Sequence, residues 1–454
     1  MKKCNFLSFF IIFTLIANIV IAQDKMPSRE DRIYSLSVIW KEMQYNFAFP
    51  EKLQTANTDS LYRAYLPKIE QVKNNYEYYR TLCSFMAHFN EAHTRIYVSN
   101  RPDDLPPLKT TNFGEKIIVS NVAKSMVDKI PLGSEIIKIN DIPVVEYLCD
   151  SVFQYIAAST AHWKFDKAVT EMLYGEPNST VNITIKTPKG EERDVQMIRD
   201  YNSNLNKYVW TDTTQTPPVN IKILNGNIGY IQLPTFVGSY IDTINHVFNK
   251  YLPQLRNCKG LIIDIRGNRG GTDEAWNNIA FHLIANQQFQ TKGKWFSKKY
   301  VPTYKMWGQF DSRFKDYYSG MAMEEIKHSP YVNNLNDSLK LHLPLVIISG
   351  QYVGSATEDF LILMKETGRA LAIGEPSVGC VGEPMFTSLP GGYEVLICAK
   401  KYVNPDGSQP NDTGVLPDIE VKRDYNAYLK GKDNMLEFAI TVLNNGIEKK
   451  YNYH

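Results

Sequence analysis

The sequence predicts an α/β protein, and three observations support this. Residues about 28–95 show helical periodicity, and residues about 112–200 contain short strands separated by Pro and Gly turns. Beyond residue 218, strand and helix patterns alternate, which is typical of a sheet with helices packed against it. We therefore expect a helical bundle, a β-rich domain and an α/β core, in that order.

The first 22 residues have the pattern of a secretory signal peptide. Lys2 and Lys3 form a basic start, residues 6–20 are largely apolar, and Ala22 ends a small-residue pattern. An uncleaved anchor is the alternative, because about 17 mostly apolar residues can nearly span a bilayer. We expect cleavage, so that the mature protein is exported to the periplasm or the cell exterior without stable membrane insertion.

The charge balance and the cysteine spacing exclude several kinds of partner and site. The 454 residues include 50 Lys and Arg against 48 Asp and Glu, and the net charge of +2 comes from the leader. Such a balance does not fit a nucleic-acid-binding surface. The cysteines beyond the leader are widely spaced and form no C-x-x-C pair. We therefore expect neither a disulfide framework nor a zinc site.

Residues 23–100 are predicted to form the helical domain. Apolar residues recur there at helical spacing, so each helix has one stripe that faces a core. Pro50 separates the first helix from the next. The stripes contain Trp40, Met43 and Phe47 in one helix and Leu82, Phe85, Met86 and Phe89 in another.

Residues 101–205 are predicted to form a β-rich domain with a helical insert over Val144–Tyr174. Val181, Ile183 and Ile185 alternate with polar residues, as in a strand with one buried face. A polar, Pro-terminated stretch over residues 211–218 then predicts a linker. The expected strands are Glu115–Ser120, Ser134–Asn140, Val181–Thr187 and Asp194–Ile198.

Residues 220–454 are predicted to form the α/β core. Two of its strands are apolar at consecutive positions, as strands covered on both faces are. The expected strands are Ile228–Leu233, Leu261–Ile265, Leu345–Ser349 and Ala370–Ile373, and the expected helices are Tyr240–Leu255, Glu274–Asn286 and Ala356–Thr367.

Two turns between a buried strand and a helix are candidates for chemistry. Glycines in residues 264–272 allow backbone amides to converge on an anion, although such a turn alone is more often only a turn. Ser355 follows the second strand, next to the free amide of Ala356 and the positive end of a helix dipole. The alternative role of Ser355 is an N-cap, with Glu358 completing a capping box.

His93 is the third candidate. It lies eleven residues after Leu82, about three helical turns, so we expect it to extend the apolar stripe of that helix and to point toward the body of the protein. The alternative is a hydrogen-bonded core histidine. His88 lies off the stripe and is a weaker candidate.

These segments resemble the C-terminal processing and tricorn-type serine peptidases. The resemblance rests on LIIDIRGNRGG, GSATEDF, the turn at residues 373–376 and the GVLPDI ending at residues 414–419, which recur in the family's order. It covers residues 225–422. Residues 133–140 are similar to a strand of PDZ-like domains, which bind peptides by strand addition. Residues 101–205 are therefore expected to be a PDZ-like domain, as a peptide-binding site or as a structural spacer.

The resemblance implies a crotonase/ClpP-like core with Ser355 as the nucleophile. The amide of Ala356 and that of Gly270 or Gly271 would form the oxyanion hole. One branch of the family takes its base from a Lys, but Cys380 stands at that position here. The tricorn-like branch takes a His from the helical domain, in an x-His-Thr motif.

His93 is followed by Thr94 and is therefore the expected base. Ala92 stands where the type member of the tricorn-like branch has a Ser. The orienting acid of that branch falls near residue 411, where the sequence has Asn411. Asp412, one step on, is therefore the candidate for that role.

The sequence thus predicts an exported serine endopeptidase that cleaves proteins or peptides through a Ser355 acyl-enzyme and needs no metal or organic cofactor. Two alternatives remain: a weakly active or inactive protein that binds peptides or apolar ligands on the same fold, and a hydrolase of small esters or amides. The oligomeric state is left open.

Overall fold

The computed structural model describes residues 26–214 and 216–446, which form a mixed α/β fold. The predicted signal peptide lies outside the described residues. Within the described part of the chain, no helix is both long and apolar enough to cross a bilayer.

Four helices open the described chain. Side-chain caps begin three of them: Ser28 accepts a hydrogen bond from the Asp31 amide at 3.1 Å, Asn57 from the Ser60 amide at 3.3 Å, and Asn74 from the Glu77 amide at 2.8 Å. Pro50 stands at the first turn of the second helix, where no amide hydrogen is needed. The predicted apolar stripes pack into one shared cluster except for Trp40, which is half-buried and donates from Nε1 to the Asp59 carboxylate at 2.9 Å. The helices are α1 (Arg29–Asn46), α2 (Pro50–Ala56), α3 (Thr58–Gln71) and α4 (Asn75–Ala87).

An antiparallel sheet with two helices follows. Its strand order is β2-β3-β4-β6-β7, with β5 paired to β4. Val181, Ile183 and Ile185 are buried in a cluster that also contains residues of α6, as their alternation predicts. The elements in this part of the chain are β1 (Arg95–Val98), which lies outside this sheet, β2 (Leu108–Phe113), β3 (Lys116–Val122), β4 (Glu135–Ile139), β5 (Ile142–Pro143), α5 (Val144–Tyr147), α6 (Ala161–Glu171), β6 (Thr180–Lys186) and β7 (Glu192–Ile198).

The remaining elements belong to the C-terminal region. They are β8 (Asn220–Leu224), β9 (Ile228–Gln232), α7 (Ile241–Leu255), β10 (Gly260–Asp264), α8 (Glu274–Leu283), β11 (Gln288–Phe289), β12 (Lys294–Lys298), α9 (Pro302–Trp307), α10 (Lys315–Ser319), β13 (Met323–Ile326), β14 (Tyr331–Val332), β15 (Leu345–Ser349), α11 (Ala356–Glu366), β16 (Leu371–Gly374), β17 (Pro384–Leu389), β18 (Tyr393–Cys398), β19 (Lys400–Val403), α12 (Pro410–Thr413), β20 (Ile419–Glu420), α13 (Tyr425–Leu429) and α14 (Asn434–Asn445).

A central sheet organises this region, with strand order β20-β16-β15-β10-β9-β8. Neighbouring strands are parallel except β8 and β9. Strands β10 and β15 are buried on both faces. Leu261 and Ile263 contribute to a cluster that includes α7, α8 and α11, whereas Ile262 contributes to a second cluster that includes α14. The two covered faces explain why these strands are apolar at consecutive positions.

Strand pairing in two sheets positions three distant segments. Because β10 and β15 are adjacent and parallel, with Asp264 opposite Ile348, the loops that follow them leave the same edge. In a separate three-stranded sheet, β1 pairs antiparallel with β18, with Arg95 opposite Leu396. That pairing attaches the segment just before Arg95 to the C-terminal region.

Candidate active site

Ser355 occupies a strained turn between β15 and α11. Its backbone has φ 56° and ψ −134°, a region that residues with a side chain rarely adopt and that costs about 1–3 kcal/mol. The side chain is half-buried. Such strain persists only where the surroundings enforce it, and it is common where a nucleophile must stand out from a strand-to-helix turn.

The buried Glu358 carboxylate enforces the turn. It accepts hydrogen bonds from the amides of Ser355 at 3.0 Å, Gly379 at 2.7 Å and Cys380 at 2.9 Å, and from the Ser377 hydroxyl at 2.5 Å. Burial raises the pKa of Glu358, and these hydrogen bonds oppose the shift. The predicted capping role of Glu358 is present, and the same carboxylate also ties residues 377–380 to the Ser355 turn.

Gly270 lies directly against Ser355. A Cβ atom on Gly270 would lie 2.6 Å from the Ser355 Cβ and 3.2 Å from the Ala356 nitrogen, and the backbone has φ 104°. The two loops are also joined by a hydrogen bond from the Gly354 amide to the Asn268 carbonyl at 3.2 Å. The structure therefore brings three predicted site residues, Ser355, Ala356 and Gly270, into one cluster.

The two glycines of the predicted oxyanion hole differ in what their amides do. The Gly270 amide donates to the Asn268 Oδ1 at 2.9 Å, whereas no hydrogen bond from the Gly271 amide is found among the described residues. The Ala356 amide is at the first position of α11, where no helical partner exists. In this arrangement Gly271 and Ala356 carry the amides that remain available to an anion.

Sequence reasoning missed Asn268 as a positioning residue. Its side chain is fully buried and also donates from Nδ2 to the Leu233 carbonyl at 3.0 Å. The amide side chain thus fixes the glycine loop to the end of β9. The sequence signal for this role was an Asn between Gly267 and Gly270, because the side chain of an Asn in a turn commonly forms a hydrogen bond with the backbone two residues later.

Arg266 anchors the start of the same loop. Its guanidinium forms ion pairs with Asp264 and with Asp433, each at 2.6 Å. Tyr230 donates to the same Asp264 carboxylate at 2.7 Å. The Asp-x-Arg part of the predicted motif therefore connects the β10 end to the start of α14.

The prediction that His93 extends a helical stripe is wrong. Helix α4 ends at Ala87, and Asn90, with φ 48°, turns the chain out of the helical path. His93 therefore lies in a turn just before β1. It is buried, and its Nδ1 has no hydrogen-bond partner. Burial, followed by the charge of nearby Arg95, lowers the pKa of His93 to about 3, so the imidazole is neutral at neutral pH.

Cys380 lies against the Ser355 turn, at the position where one branch of the family has its Lys. A Cβ atom on Gly354 would lie 2.9 Å from the Cys380 Sγ, and Cys380 shares an apolar cluster with Ala92. Burial, then the charges of Glu358 and Glu91, raises the pKa of Cys380 well above its ordinary value. No hydrogen bond joins His93 to Ser355 within the described residues.

Asp412 and Asn411 are placed differently from each other. Asp412 is exposed, whereas Asn411 is fully buried and donates from Nδ2 to the Val381 carbonyl at 3.1 Å. The Asn411 Oδ1 has no partner. The structure described here contains no hydrogen bond between the Asp412 carboxylate and His93.

Comparison with known proteins assigns the domain that carries this cluster. Residues 227–421 match peptidase family S41, and this segment contains Ser355, Gly270, Gly271 and Ala356. The matched region of this chain is a serine-type peptidase domain of family S41.

Two sequence relatives agree with this assignment. The peptidase chain is 24% identical over 382 residues to a carboxyl-terminal-processing protease of a Picosynechococcus species, covering 82% of this chain and 80% of that protein. It is also 24% identical over 261 residues to a chloroplastic C-terminal processing peptidase of Tetradesmus obliquus, covering 56% of this chain and 48% of that protein. The match thus spans about half of the second relative.

Solved structures share the fold of the peptidase. Mature CPAF in complex with lactacystin superposes with a TM-score of 0.68 at 12% identity, covering 92% of this chain and 99% of that one. A putative peptidase from Parabacteroides merdae gives a TM-score of 0.50 at 18% identity, covering 92% of this chain and 97% of that one.

Proposed function

We propose that this peptidase is an exported endopeptidase that cleaves proteins or peptides through an acyl-enzyme on Ser355, with His93 as the general base. The observation that carries the proposal is the contact of Gly270 with the strained Ser355 turn, held by Glu358. Such a turn presents a hydroxyl beside free amides, which is what attack on an amide carbonyl requires.

The chemistry follows from the positions of the groups. The Ser355 Oγ attacks the scissile carbonyl carbon while His93 takes its proton. Negative charge on the carbonyl oxygen is stabilised by the amides of Ala356 and Gly271. When the C–N bond breaks, His93 returns the proton to the leaving amine, and water then hydrolyses the acyl-enzyme by the same steps in reverse order.

The finer assignments belong to the same proposal. The central sheet with its helices is assigned as a crotonase/ClpP-like core, and the antiparallel sheet of β2 to β7 as a PDZ-like domain. Export to the periplasm or the cell exterior rests on the leader in residues 1–22. Asp412, which is exposed, is kept as the candidate orienting acid.

A second candidate function is peptide binding without turnover. It is favoured by the buried Asn411, whose Oδ1 has no partner, since an Asn stands where an acid would orient the base. In that case the fold holds a peptide but cleaves it slowly or not at all.

The decisive experiment compares cleavage of an unfolded protein such as casein by wild type and three variants. Wild type should produce new peptides, and Ser355→Ala should lower the rate at least about 1,000-fold. His93→Ala should lower it at least about 100-fold, whereas His88→Ala, which removes a nearby imidazole bonded to Tyr65, should retain activity. Stable binding of casein without cleavage by folded wild type would favour the second function.

A further inference from the structure

The segment before β1 and the end of β18 place three metal-binding side chains together. Glu91, His93 and Cys398 each offer one ligand atom, and these atoms lie within 4.8 Å of one another. The three residues come from the turn after α4 and from the strand that pairs with β1. We propose that they form a binding site for a Zn²⁺-like transition-metal dication.

Two buried atoms without partners point to a ligand here. The Glu91 Oε1 and the His93 Nδ1 are both buried, and neither atom takes part in a hydrogen bond. Glu91 is 0% exposed and His93 is 8% exposed. A buried polar atom without a partner costs about 1–3 kcal/mol, so two such atoms in one cluster need an explanation. A metal ion between them satisfies both.

The surroundings hold the ligands in place. Thr94 Oγ1 donates to the Glu91 Oε2 at 2.6 Å and accepts from the Cys398 amide at 3.1 Å. The Glu91 carboxylate is therefore oriented, with its second oxygen left free. Outer hydrogen bonds of this kind are what fix the ligands of metal sites. The Cys398 thiol donates to the Lys400 carbonyl at 3.2 Å and loses this proton when a metal binds.

The donor set favours zinc among common dications. Thiolate, imidazole and carboxylate are the three zinc ligands of proteins, whereas Mg²⁺ and Ca²⁺ prefer oxygen alone. A thiolate and a carboxylate together balance the charge of a dication, so the filled site is neutral and can stay buried. Tetrahedral zinc needs ligand atoms about 3.3–3.8 Å apart, so closure requires shifts of about 1 Å. A fourth position remains for water.

The consequence for activity rests on the proposed role of His93. A metal ion bound to the imidazole takes the lone pair that would accept the Ser355 proton. Zn²⁺ should therefore inhibit peptide cleavage reversibly, by at least 10-fold at saturation, and a chelator should restore it.

Cobalt binding to the full chain tests the site directly. Chelator-treated wild type titrated with Co²⁺ should develop a near-ultraviolet thiolate-to-cobalt band, with one ion bound, and Zn²⁺ should displace it. Cys398→Ser should abolish the band and weaken Zn²⁺ binding at least 10-fold. Cys258→Ser, which alters another buried cysteine, should leave both unchanged. A band that survives Cys398→Ser, or no band in wild type, overturns the proposal.

A second measurement needs no variant. Zinc-edge anomalous diffraction from wild-type crystals soaked in Zn²⁺ should show a peak between Glu91, His93 and Cys398. Peaks at surface residues alone would overturn the proposed site.

The activity measurement tests the role of His93 separately. Full cleavage activity while the cobalt band is present would keep the metal site and contradict His93 as the base. The two proposals therefore fail separately.

Discussion

Ser355 is held by contacts that leave little room for change, and Gly270 is the closest of them. Alanine at residue 270 would place a Cβ 2.6 Å from the Ser355 Cβ and 2.8 Å from the Gly354 carbonyl oxygen, on a backbone with φ 104°. We expect Gly270→Ala to reduce cleavage at least about 100-fold, because small displacements of reacting groups are costly. Cleavage assays on folded variant measure this.

The matched control lies in the same loop. A Cβ atom on Gly267 would meet no atom within 4 Å. Gly267→Ala should therefore retain most of the wild-type rate. Equal losses in the two variants would show that the loop tolerates no substitution and would contradict the specific contact argument.

Glu358 is the second residue whose change tests the turn. A Gln side chain would present an NH₂ group to backbone amides that now donate to a carboxylate oxygen. We expect Glu358→Gln to lower the free energy of unfolding by about 2–4 kcal/mol and to abolish cleavage. Urea denaturation and the casein assay measure the two effects. Glu274→Gln, in the first turn of α8 and exposed, should change neither.

At the scale of elements, one side chain connects the antiparallel sheet to the Ser355 turn. Arg423 donates to the Asn112 carbonyl at 2.7 Å, pairs with Glu375 at 3.2 Å and also bonds the Gln351 side chain. We expect Arg423→Ala to lower the free energy of unfolding by about 1–3 kcal/mol and to reduce cleavage.

The neighbouring cation provides the control for Arg423. The Lys422 side chain is exposed and forms a surface ion pair with Glu420 at 3.5 Å. Lys422→Ala should leave unfolding and cleavage close to wild type, because surface pairs contribute little. If Arg423→Ala behaves like Lys422→Ala, the connection between the sheet and the turn is not energetically important.

Helix α6 carries a buried acid whose titration should change the free energy of unfolding. Burial raises the pKa of Asp166 to about 6, with Asn112 and Arg423 opposing the shift and Glu375 adding to it. The folded state therefore binds this proton more tightly than the unfolded state, and stability is lost as pH rises from about 4 to 6. Asp166→Asn removes this dependence.

The stability of Asp166→Asn relative to wild type should therefore increase by about 2–3 kcal/mol between pH 4 and pH 7.5. Urea denaturation at the two pH values measures the difference. Asp128→Asn, at an exposed position of the same region, should show no such change. If the difference in stability between Asp166→Asn and wild type does not change with pH, the Asp166 carboxyl has an ordinary pKa and this prediction is wrong.

Most elements of the central sheet could be predicted from the sequence, because burial on both faces leaves a continuous apolar signal. Strands β10 and β15 lie within one residue of their predicted bounds. Strands β17 to β19 were not predicted. Which face of such a strand is buried depends on partners far away in the chain. Strand β18, for example, pairs with β1, with Leu396 opposite Arg95, and alternation in the sequence alone does not reveal such a partner.

At the scale of the whole molecule, the predicted nucleophile and glycine loop meet because parallel strands align their loops. The path of the His93 segment could not be predicted, because a single Asn90 at positive φ ends the helical path. The Glu91, His93 and Cys398 cluster was equally hidden, since its members lie in segments that only the β1 and β18 pairing joins. The order of the motifs predicts the candidate site residues, whereas the pairing of distant strands determines which side chains surround them.

The central claim is that Ser355 is an activated nucleophile with His93 as its base, and covalent labelling tests it most directly. A fluorophosphonate probe should label wild type at a single serine, mapped by mass spectrometry to Ser355, and labelling should be lost in Ser355→Ala and strongly slowed in His93→Ala. Folded wild type that does not react with the probe would contradict the peptidase account. Labelling of Ser355 that persists at the wild-type rate in His93→Ala would contradict the assignment of the base.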